Sequence, residues 1–234
     1  MTRYSTILST GSYVPDRVVT NAEVDALIGE STSEWLIQNV GIRERRWMAA
    51  EQNTSDLVVE AARAAIQRAG ITPEDLDLLI VSTDTPDYLS PSTSVVVQHK
   101  LGATKAGCYD VNSACAGWVT ALDQGARFLL TEPAARYVLV AGGYGMSRFL
   151  AFKDKKTANL FADGAGAAVI KSVENKEPQG ILSSHIYSDG TQTGVLGVPG
   201  GICRSSISHE DIDKKQYCIK MIGNTTFKFA VKRM

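Results

Sequence analysis

The sequence lacks an excess of charge of either sign. Its 234 residues hold 24 Lys and Arg against 25 Asp and Glu, which gives a formal net charge of −1. A chain balanced in this way has no general positive field with which to bind nucleic acid or an anionic membrane surface. Long apolar runs are lacking as well, because the longest, Leu78–Val81 and Tyr137–Ala141, fall far short of the ~20 residues that a membrane span needs. We therefore expect a protein that binds neither nucleic acid nor a membrane.

Cysteines and targeting signals are scarce. The chain has four cysteines, at positions 108, 115, 203 and 218, which are too few for a disulfide framework at this length. Residues Met1–Thr10 mix polar residues among few apolar ones, so no signal peptide is visible. Neither an HExxH motif nor paired CxxC motifs occur, so no metal site is expected. These features predict a cytoplasmic protein with free thiols.

Short apolar strands alternate with helices along the first part of the chain. We predict strands at Tyr4–Thr10, Leu78–Ser82, Gly107–Asn112 and Tyr137–Ala141. We predict helices that open at a Ser31–Glu34 capping box, run from Thr54 or Ser55 to Ala69, begin with Pro91 and end at Gly102, and cover Ala116–Leu130. Because the strands are uniformly apolar, they indicate a parallel sheet covered by helices on both faces. The predicted fold class is α/β.

A second pattern begins late in the chain. We interpret the polar run Glu174–Gln179 as a linker, followed by strands within Gly180–Tyr187, a glycine-rich loop at Asp189–Gly201 and a strand at Tyr217–Met221. His209 is expected in a solvated turn of this region.

A final helix is predicted with Asn224 as its cap and Phe227, Ala230 and Val231 on its apolar face. The chain reaches Met234 without the Gly, Pro or polar tail that commonly ends a helix. We therefore expect a longer natural protein, in which a second half continues.

Cys115 stands where a predicted strand turns into a predicted helix. Its neighbours within Ser113–Gly117 are small, which lets a substrate reach the sulfur and lets the backbone turn sharply. At a helix start, free N–H groups and the positive end of the helix dipole stabilise a thiolate. The same N–H groups can bind the oxyanion of a tetrahedral intermediate. The pattern favours an acyl-accepting nucleophile, and a buried structural cysteine is the competing interpretation.

Six segments, in the same order along the chain, resemble those of a known family: Gly11–Pro15, Ser33–Leu36, Gly41–Arg45, Ser113–Gly117, Phe161–Ala168 and Met221–Lys228. The family is that of β-ketoacyl-acyl-carrier-protein synthase III, and Ser113–Gly117 is similar to its nucleophile motif. The resemblance implies a thiolase-like α/β/α/β/α layered fold made of two similar halves. Residues 1–173 then form the half that carries the nucleophile, and residues 174–234 begin the second half.

The resemblance also implies a reaction. Cys115 would take an acyl group from an acyl-CoA as a thioester, and the carbanion from decarboxylated malonyl-acyl-carrier protein would attack it to give a β-ketoacyl thioester. Splitting transfer from condensation replaces one difficult step with two easier ones. The expected partners are acyl-CoA and acyl carrier protein, and no cofactor is expected. The reaction would initiate fatty-acid or related biosynthesis.

Residues for binding coenzyme A are carried over from the same resemblance. Trp35 would pack against the adenine, and Met221, Gly223 and Phe227 would line the pantetheine tunnel. Lys155 stands where family members often carry an arginine that faces the CoA phosphates. The competing interpretations are a core tryptophan for Trp35 and ordinary core packing for Met221 and Phe227.

Other positions depart from the family or are interpreted as structural. Arg43 and Arg45 are expected to form structural ion pairs. Ser90 occupies a place where acetyl-selective relatives tend to carry a bulky aromatic residue, which favours a longer acyl chain.

The family uses a His and an Asn from its second half for decarboxylation, and we expect both beyond Met234. The histidines of this chain follow no family motif and are not assigned to catalysis. We interpret His99 as a surface residue and His185 as packed within a strand.

Two other functions remain open. The chain could be a non-catalytic partner of the same fold, or an acyltransferase that acts on another nucleophile such as an alcohol or amine.

The resemblance also predicts an assembly. The family pairs the strand corresponding to Gly107–Asn112 across a twofold axis. We therefore expect a homodimer, which would also cover an exposed sheet edge.

Overall fold

The computed structural model describes residues 1–200 and 207–233. By their contacts, the residues form two compact units. The first comprises Met1–Arg17, Arg46–Gly145 and Asp163–Ile186, and the second comprises Val18–Arg45, Met146–Ala162 and Tyr187–Met234. Both units take segments from before and after residue 173, so the two halves expected along the sequence remain a prediction.

Within the described residues, the strands are β1 Thr2–Tyr13, β2 Val18–Thr20, β3 Glu44–Arg46, β4 Leu78–Ser82, β5 Gly107–Val111, β6 Tyr137–Gly145, β7 Asp163–Asn175, β8 Leu196–Gly197 and β9 Lys220–Met221. The α-helices are α1 Asn21–Ile28, α2 Ser33–Asn39, α3 Thr54–Ala69, α4 Thr93–Leu101, α5 Gly117–Thr131, α6 Lys155–Ala158, α7 His209–Asp213 and α8 Gly223–Arg233. Short 3₁₀ helices lie at Pro73–Asp75, Ala114–Ala116, Met146–Phe149 and Gly190–Gln192. No helix of the described chain is long and apolar enough to cross a membrane.

The first unit contains a five-stranded sheet in the order β1-β7-β6-β4-β5. β4 is parallel to both β5 and β6, whereas β7 is antiparallel to β6 and to β1. The prediction of a wholly parallel sheet is therefore wrong for β7. Burial on both faces selects apolar residues in either direction, so an apolar run does not reveal which way a strand runs.

Helices cover both faces of this sheet. On one face α3 packs through Val58, Ala61 and Ala62 against apolar side chains of β4, β6 and β7. β1 approaches α3 so closely that a Cβ at Gly11 would lie 2.1 Å from the Ala61 carbonyl oxygen. On the other face α5 packs against a separate buried cluster that includes Ile80 of β4. The unit therefore has three layers, with β4 and β6 buried at the centre.

The helix starts differ from those predicted in two places. The Ser31–Glu34 capping box is not formed, and α2 begins at Ser33 with Thr32 as an N-cap whose side chain accepts no hydrogen bond from the first turn of the helix. The carboxylate of Asp25 instead accepts hydrogen bonds from both Thr32 and Ser33. The helix expected to begin with Pro91 begins at Thr93, after a cis Ser90–Pro91 peptide bond.

The sequence also gave no prediction of α1, which a capping box between Thr20 and Glu23 opens. Arg45 is structural as predicted but forms no ion pair in the described part of the chain. It is buried and donates to the Asn21 side chain at 2.7 Å and to the Asn159 carbonyl at 3.1 Å. Burial lowers the pKa of Arg45, and the negative charges of Asp25 and Glu23 oppose this shift.

Several predictions for the last part of the chain are wrong. No strand forms within Gly180–Tyr187, and the strand expected at Tyr217–Met221 is reduced to the two residues of β9. His209 begins the short helix α7. A capping box between Ser208 and Asp211 stabilises the start of this helix. α8 starts at Gly223, so Asn224 lies inside the helix and does not cap it.

Candidate active site

The carboxyl ends of three parallel strands meet at one edge of the first unit. In the register of the sheet, Ser82 at the end of β4 pairs with Val111 of β5 and with Gly142 of β6. In open α/β sheets, ligands commonly bind outside the carboxyl ends of the strands. α5 begins at this edge, directly after the short 3₁₀ helix Ala114–Ala116.

Cys115 lies in the middle of this 3₁₀ helix and is exposed. The residue before it, Ala114, has a positive φ of 44°, a conformation that costs a non-glycine residue on the order of 1–3 kcal/mol. The Ala114 N–H donates to the Asn112 side chain at 3.3 Å, and the Ala116 N–H donates to the Ser113 carbonyl at 3.1 Å. A strained and internally bonded turn therefore presents the sulfur to solvent.

The start of α5 is packed tightly against the sheet and carries no capping side chain. A Cβ at Gly117 would lie 2.1 Å from the Ser82 hydroxyl oxygen, so only glycine fits there without a shift of Ser82. The N-cap Ala116 makes no side-chain hydrogen bond, and the first turn has no acidic residue. The positive end of this helix is thus not neutralised by its own side chains.

The other cysteines of the described chain differ from Cys115. Cys108 on β5 is half-buried, and burial is the main cause that raises the pKa of its thiol. Cys218 is buried, and burial again raises the pKa of the thiol. Cys203 lies outside the described residues. Among the described cysteines, Cys115 alone has an exposed sulfur at a helix start.

A network of threonines holds the residues that follow β4. The Thr54 hydroxyl of α3 donates to the Thr85 carbonyl at 2.6 Å, and the Gly145 N–H donates to the Thr85 hydroxyl at 2.9 Å. The Thr83 and Thr85 hydroxyls lie 3.3 Å apart. Asp84 lies between these two threonines and is half-buried, and this burial raises its pKa. Thr83, Asp84 and Thr85 were not predicted as site residues, although polar residues directly after a buried strand are a usable signal.

Known proteins match the region that contains these features. The family model described as 3-Oxoacyl-[acyl-carrier-protein (ACP)] synthase III matches residues 109–190, which include Cys115. A β-ketoacyl-[acyl-carrier-protein] synthase III of Caldanaerobacter subterraneus subsp. tengcongensis is 42% identical over 228 residues, covering 97% of this chain and 68% of the relative. The chain belongs to the synthase III family.

Solved structures lead to the same assignment. A β-ketoacyl-[acyl carrier protein] synthase III of Thermus thermophilus has a TM-score of 0.83 at 36% identity and covers 98% of this chain and 68% of its own. A priming β-ketosynthase from a polyketide biosynthetic pathway has a TM-score of 0.84 at 33% identity, with coverages of 99% and 67%. The predicted thiolase-like α/β fold class is confirmed. Because the synthase III family consists of condensing acyltransferases, the prediction of an enzyme is confirmed as well.

The residues carried over from the synthase III family for CoA binding all belong to the second unit. Trp35 is 56% exposed on α2, so its interpretation as a core tryptophan is wrong. Lys155 of α6 pairs with Glu30 at 2.6 Å, and both side chains are exposed. Phe227 of α8 is 69% exposed, which contradicts ordinary core packing for this residue.

Met221 and Gly223 lie on the two sides of Ile222, at the end of β9 and the start of α8. Both are partly buried. The Ile222 N–H donates to the Val195 carbonyl at 2.8 Å, which fixes the backbone between them. Their expected contact with pantetheine remains a prediction.

The histidines are all on the surface. His99 is exposed on α4 as predicted, whereas His185 is exposed and lies in no strand, contrary to the prediction. His209 is exposed at the start of α7. In residues 1–200 and 207–233, no group of three or more His, Cys, Asp or Glu side chains could hold a metal ion.

Proposed function

We propose that this chain is the acyltransferase of a synthase III condensation and that Cys115 is its nucleophile. The observation that carries the proposal is the exposed sulfur on the strained turn at the uncapped start of α5. Strain of this kind persists only where the surrounding structure enforces it, and it is concentrated at functional sites. Family membership supplies the class of reaction.

In the first step, the Cys115 thiolate attacks the thioester carbonyl of an acyl-CoA. The C–S bond to coenzyme A breaks, the CoA thiolate leaves with the electron pair, and a new thioester forms on Cys115. The positive end of α5 stabilises the attacking thiolate and the oxyanion of the tetrahedral intermediate. The uncapped Ala116 supports this role, because α5 has neither an N-cap side-chain bond nor an acid in its first turn.

In the second step, malonyl-acyl-carrier protein loses CO₂. The electron pair left on its α-carbon attacks the carbonyl of the Cys115 thioester. The cysteine sulfur leaves as the thiolate, and the product is a β-ketoacyl thioester on the carrier protein. We assign the His and Asn that the family uses for decarboxylation to none of the described residues. The alternative of a non-catalytic partner chain is less favoured, because such a chain has no need of the strain at Ala114.

We further propose that coenzyme A binds to the second unit through Trp35, Lys155, Met221, Gly223 and Phe227. The exposed indole of Trp35 offers an aromatic face for the adenine. The Lys155–Glu30 pair is exposed, and such a pair contributes only about 0–1 kcal/mol. A CoA phosphate can therefore replace Glu30 as the partner of Lys155 at little cost.

A homodimer paired through β5 is the proposed assembly. β5 is an edge strand of the five-stranded sheet, and Tyr109 on it is 39% exposed. An unpaired edge strand can pair with a second copy of itself. Burial raises the pKa of Tyr109, so its phenol is neutral at the pH of the cell and can be buried further.

The nucleophile is tested by incubating the chain with butyryl-CoA and measuring its intact mass. We expect one butyryl adduct, located on the Cys115 peptide and absent from Cys115→Ser. Cys108→Ser is the matched control, because it removes a half-buried thiol from the adjoining strand and should keep the adduct. An adduct that persists on Cys115→Ser, or a wild-type chain that forms none, would contradict the proposal.

A further inference from the structure

Asp84 lies between two threonines whose side chains face α3. The Thr83 and Thr85 hydroxyls lie 3.3 Å apart, and the Thr85 hydroxyl lies 3.2 Å from the Thr54 hydroxyl of α3. Asp84 and Thr85 form a bend directly after β4. The Gly145 N–H donates to the Thr85 hydroxyl at 2.9 Å, so this bend runs beside the end of β6.

Tyr144 of β6 faces α5. A Cβ at Gly143 or at Gly145 would come within 2.9 Å of Thr54, so these positions face α3. A Cβ at Gly142 would instead meet the Trp118 ring of α5 at 3.5 Å. Tyr144 alternates with Gly143 and Gly145 and therefore faces α5. The bend that contains Asp84 runs beside this end of β6, and the charge of Asp84 acts on the Tyr144 phenol.

Cys115 reaches the same place from α5. Gly117 packs directly on the Ser82 side chain, which brings the preceding turn to the end of β4. Burial raises the pKa of Tyr144, and the charges of Asp84 and Cys115 lie near enough to raise it further. A carboxyl, a phenol and the nucleophilic thiol thus form one cluster at this edge of the sheet.

The Asp84 carboxylate is the unbalanced charge of this cluster. Within the described chain it makes no hydrogen bond or ion pair with another residue. Tyr144 is neutral at physiological pH, because a tyrosine has a pKa of about 10 even in water and burial raises the pKa of Tyr144 further. Asp163, the other acid near Tyr144, is buried and accepts a hydrogen bond from the Met48 N–H at 2.8 Å. No cation is placed to offset the charge of Asp84 among these groups.

We propose that Asp84 is a specificity residue that hinders negatively charged acyl groups from reaching Cys115. This inference rests on the proposed function, in which the chain meets two kinds of thioester. The starter acyl group must be transferred to Cys115, whereas the malonyl group carries a carboxylate and must not be. Two like charges within ~8 Å in a partly buried site repel strongly enough to change a relative rate by about tenfold. Asp84 thereby keeps the two substrates in separate steps.

The charge effect is tested first without any acyl-CoA. Iodoacetamide and iodoacetate have nearly the same shape and differ in charge, and alkylation of the Cys115 peptide by each is followed by mass spectrometry. We expect the iodoacetate-to-iodoacetamide rate ratio to rise about tenfold in Asp84→Asn. Asp84→Ser, a second removal of the charge, should give the same rise, and Asp16→Asn, an exposed acid in the same unit, should leave the ratio unchanged. An equal ratio in all four proteins overturns the proposal.

The effect on acyl transfer is tested with butyryl-CoA and succinyl-CoA, whose acyl groups have equal length and differ by a terminal carboxylate. We expect the wild-type chain to form the butyryl adduct and Asp84→Asn to gain succinyl adduct about tenfold relative to butyryl. If butyryl adduct forms but the preference is the same in both proteins, the role of Asp84 is wrong and the proposed function stands. If the wild-type chain forms no adduct on Cys115, the proposed function itself is wrong, and the role of Asp84 in substrate selection falls with it.

Discussion

Two helices of the first unit, α4 and α5, begin near the same edge of the sheet, and their starts are built in opposite ways. At α4 the Thr93 and Ser94 N–H groups each donate to the Asp110 carboxylate at 2.7 Å. At α5 no side chain caps the helix, and the turn before it is strained at Ala114. One helix start is neutralised by an acid of the protein, and the other has neither a capping side chain nor an acid in its first turn.

The comparison teaches that a helix start alone does not indicate a site. The dipole and the free N–H groups are common to both helices. The difference lies in whether an acid of the protein already occupies them. By this criterion α4 is a structural helix, and α5 is the helix that we propose acts on substrate.

The largest loss of stability is expected when the acidic side chain at the start of α4 is removed. Asp110→Ala leaves two N–H groups without their charged acceptor, which should lower the free energy of unfolding by about 3 kcal/mol. Urea denaturation measures this loss, and Asp16→Ala, which removes an exposed acid, is the control with a change near zero. A loss below about 1 kcal/mol would show that α4 does not depend on Asp110.

A smaller effect is expected from adding bulk at the start of α5. Gly117→Ala places a Cβ 2.1 Å from the Ser82 hydroxyl oxygen and should cost about 2 kcal/mol of stability. The double variant Gly117→Ala/Ser82→Ala removes that oxygen and should recover most of the loss. Thermal unfolding of the two variants and of Ser82→Ala completes the cycle. Additive losses would contradict the contact.

The two starts can also be made alike. Ala116→Asp places a negative charge at the start of α5, where it opposes the positive end of the helix dipole. We expect butyryl transfer to Cys115 to fall about tenfold, measured by intact mass. In Ala116→Asn, which adds a side chain of similar size without charge, the transfer should fall less. Unchanged transfer in Ala116→Asp would mean that the free helix start does not assist acylation.

The elements that were predicted correctly are those whose sequence signals lie within the element itself. β4 and α3 have the predicted bounds, because an apolar run and a capped amphipathic pattern are complete within their own segments. The exposed turn at Cys115 was also predicted, since small residues between strand and helix are a local signal.

Features that depend on distant partners were not predicted. The antiparallel direction of β7 comes from its pairing with β6, and the placement of Asp84 beside Tyr144 comes from the bond between Gly145 and Thr85. The start of α2 was misplaced because Asp25, rather than a neighbour in Ser31–Glu34, binds its first residues. No window of sequence contains these contacts.

The smallest change in stability is expected at the start of α2. As at α4, an acidic side chain accepts hydrogen bonds from the first residues of the helix. Asp25 is subject to burial, which raises its pKa, but hydrogen bonds from Thr32 and Ser33 outweigh burial and lower the pKa below 3.8. Its contribution to stability is therefore present at neutral pH and lost as the pH falls below about 4 through the folded-state pKa. We expect Asp25→Asn to lower the free energy of unfolding by less than about 1 kcal/mol at pH 7. The difference from the wild-type chain should shrink as the pH falls through the folded-state pKa of Asp25, and a difference that does not shrink on acidification would place the stabilisation elsewhere.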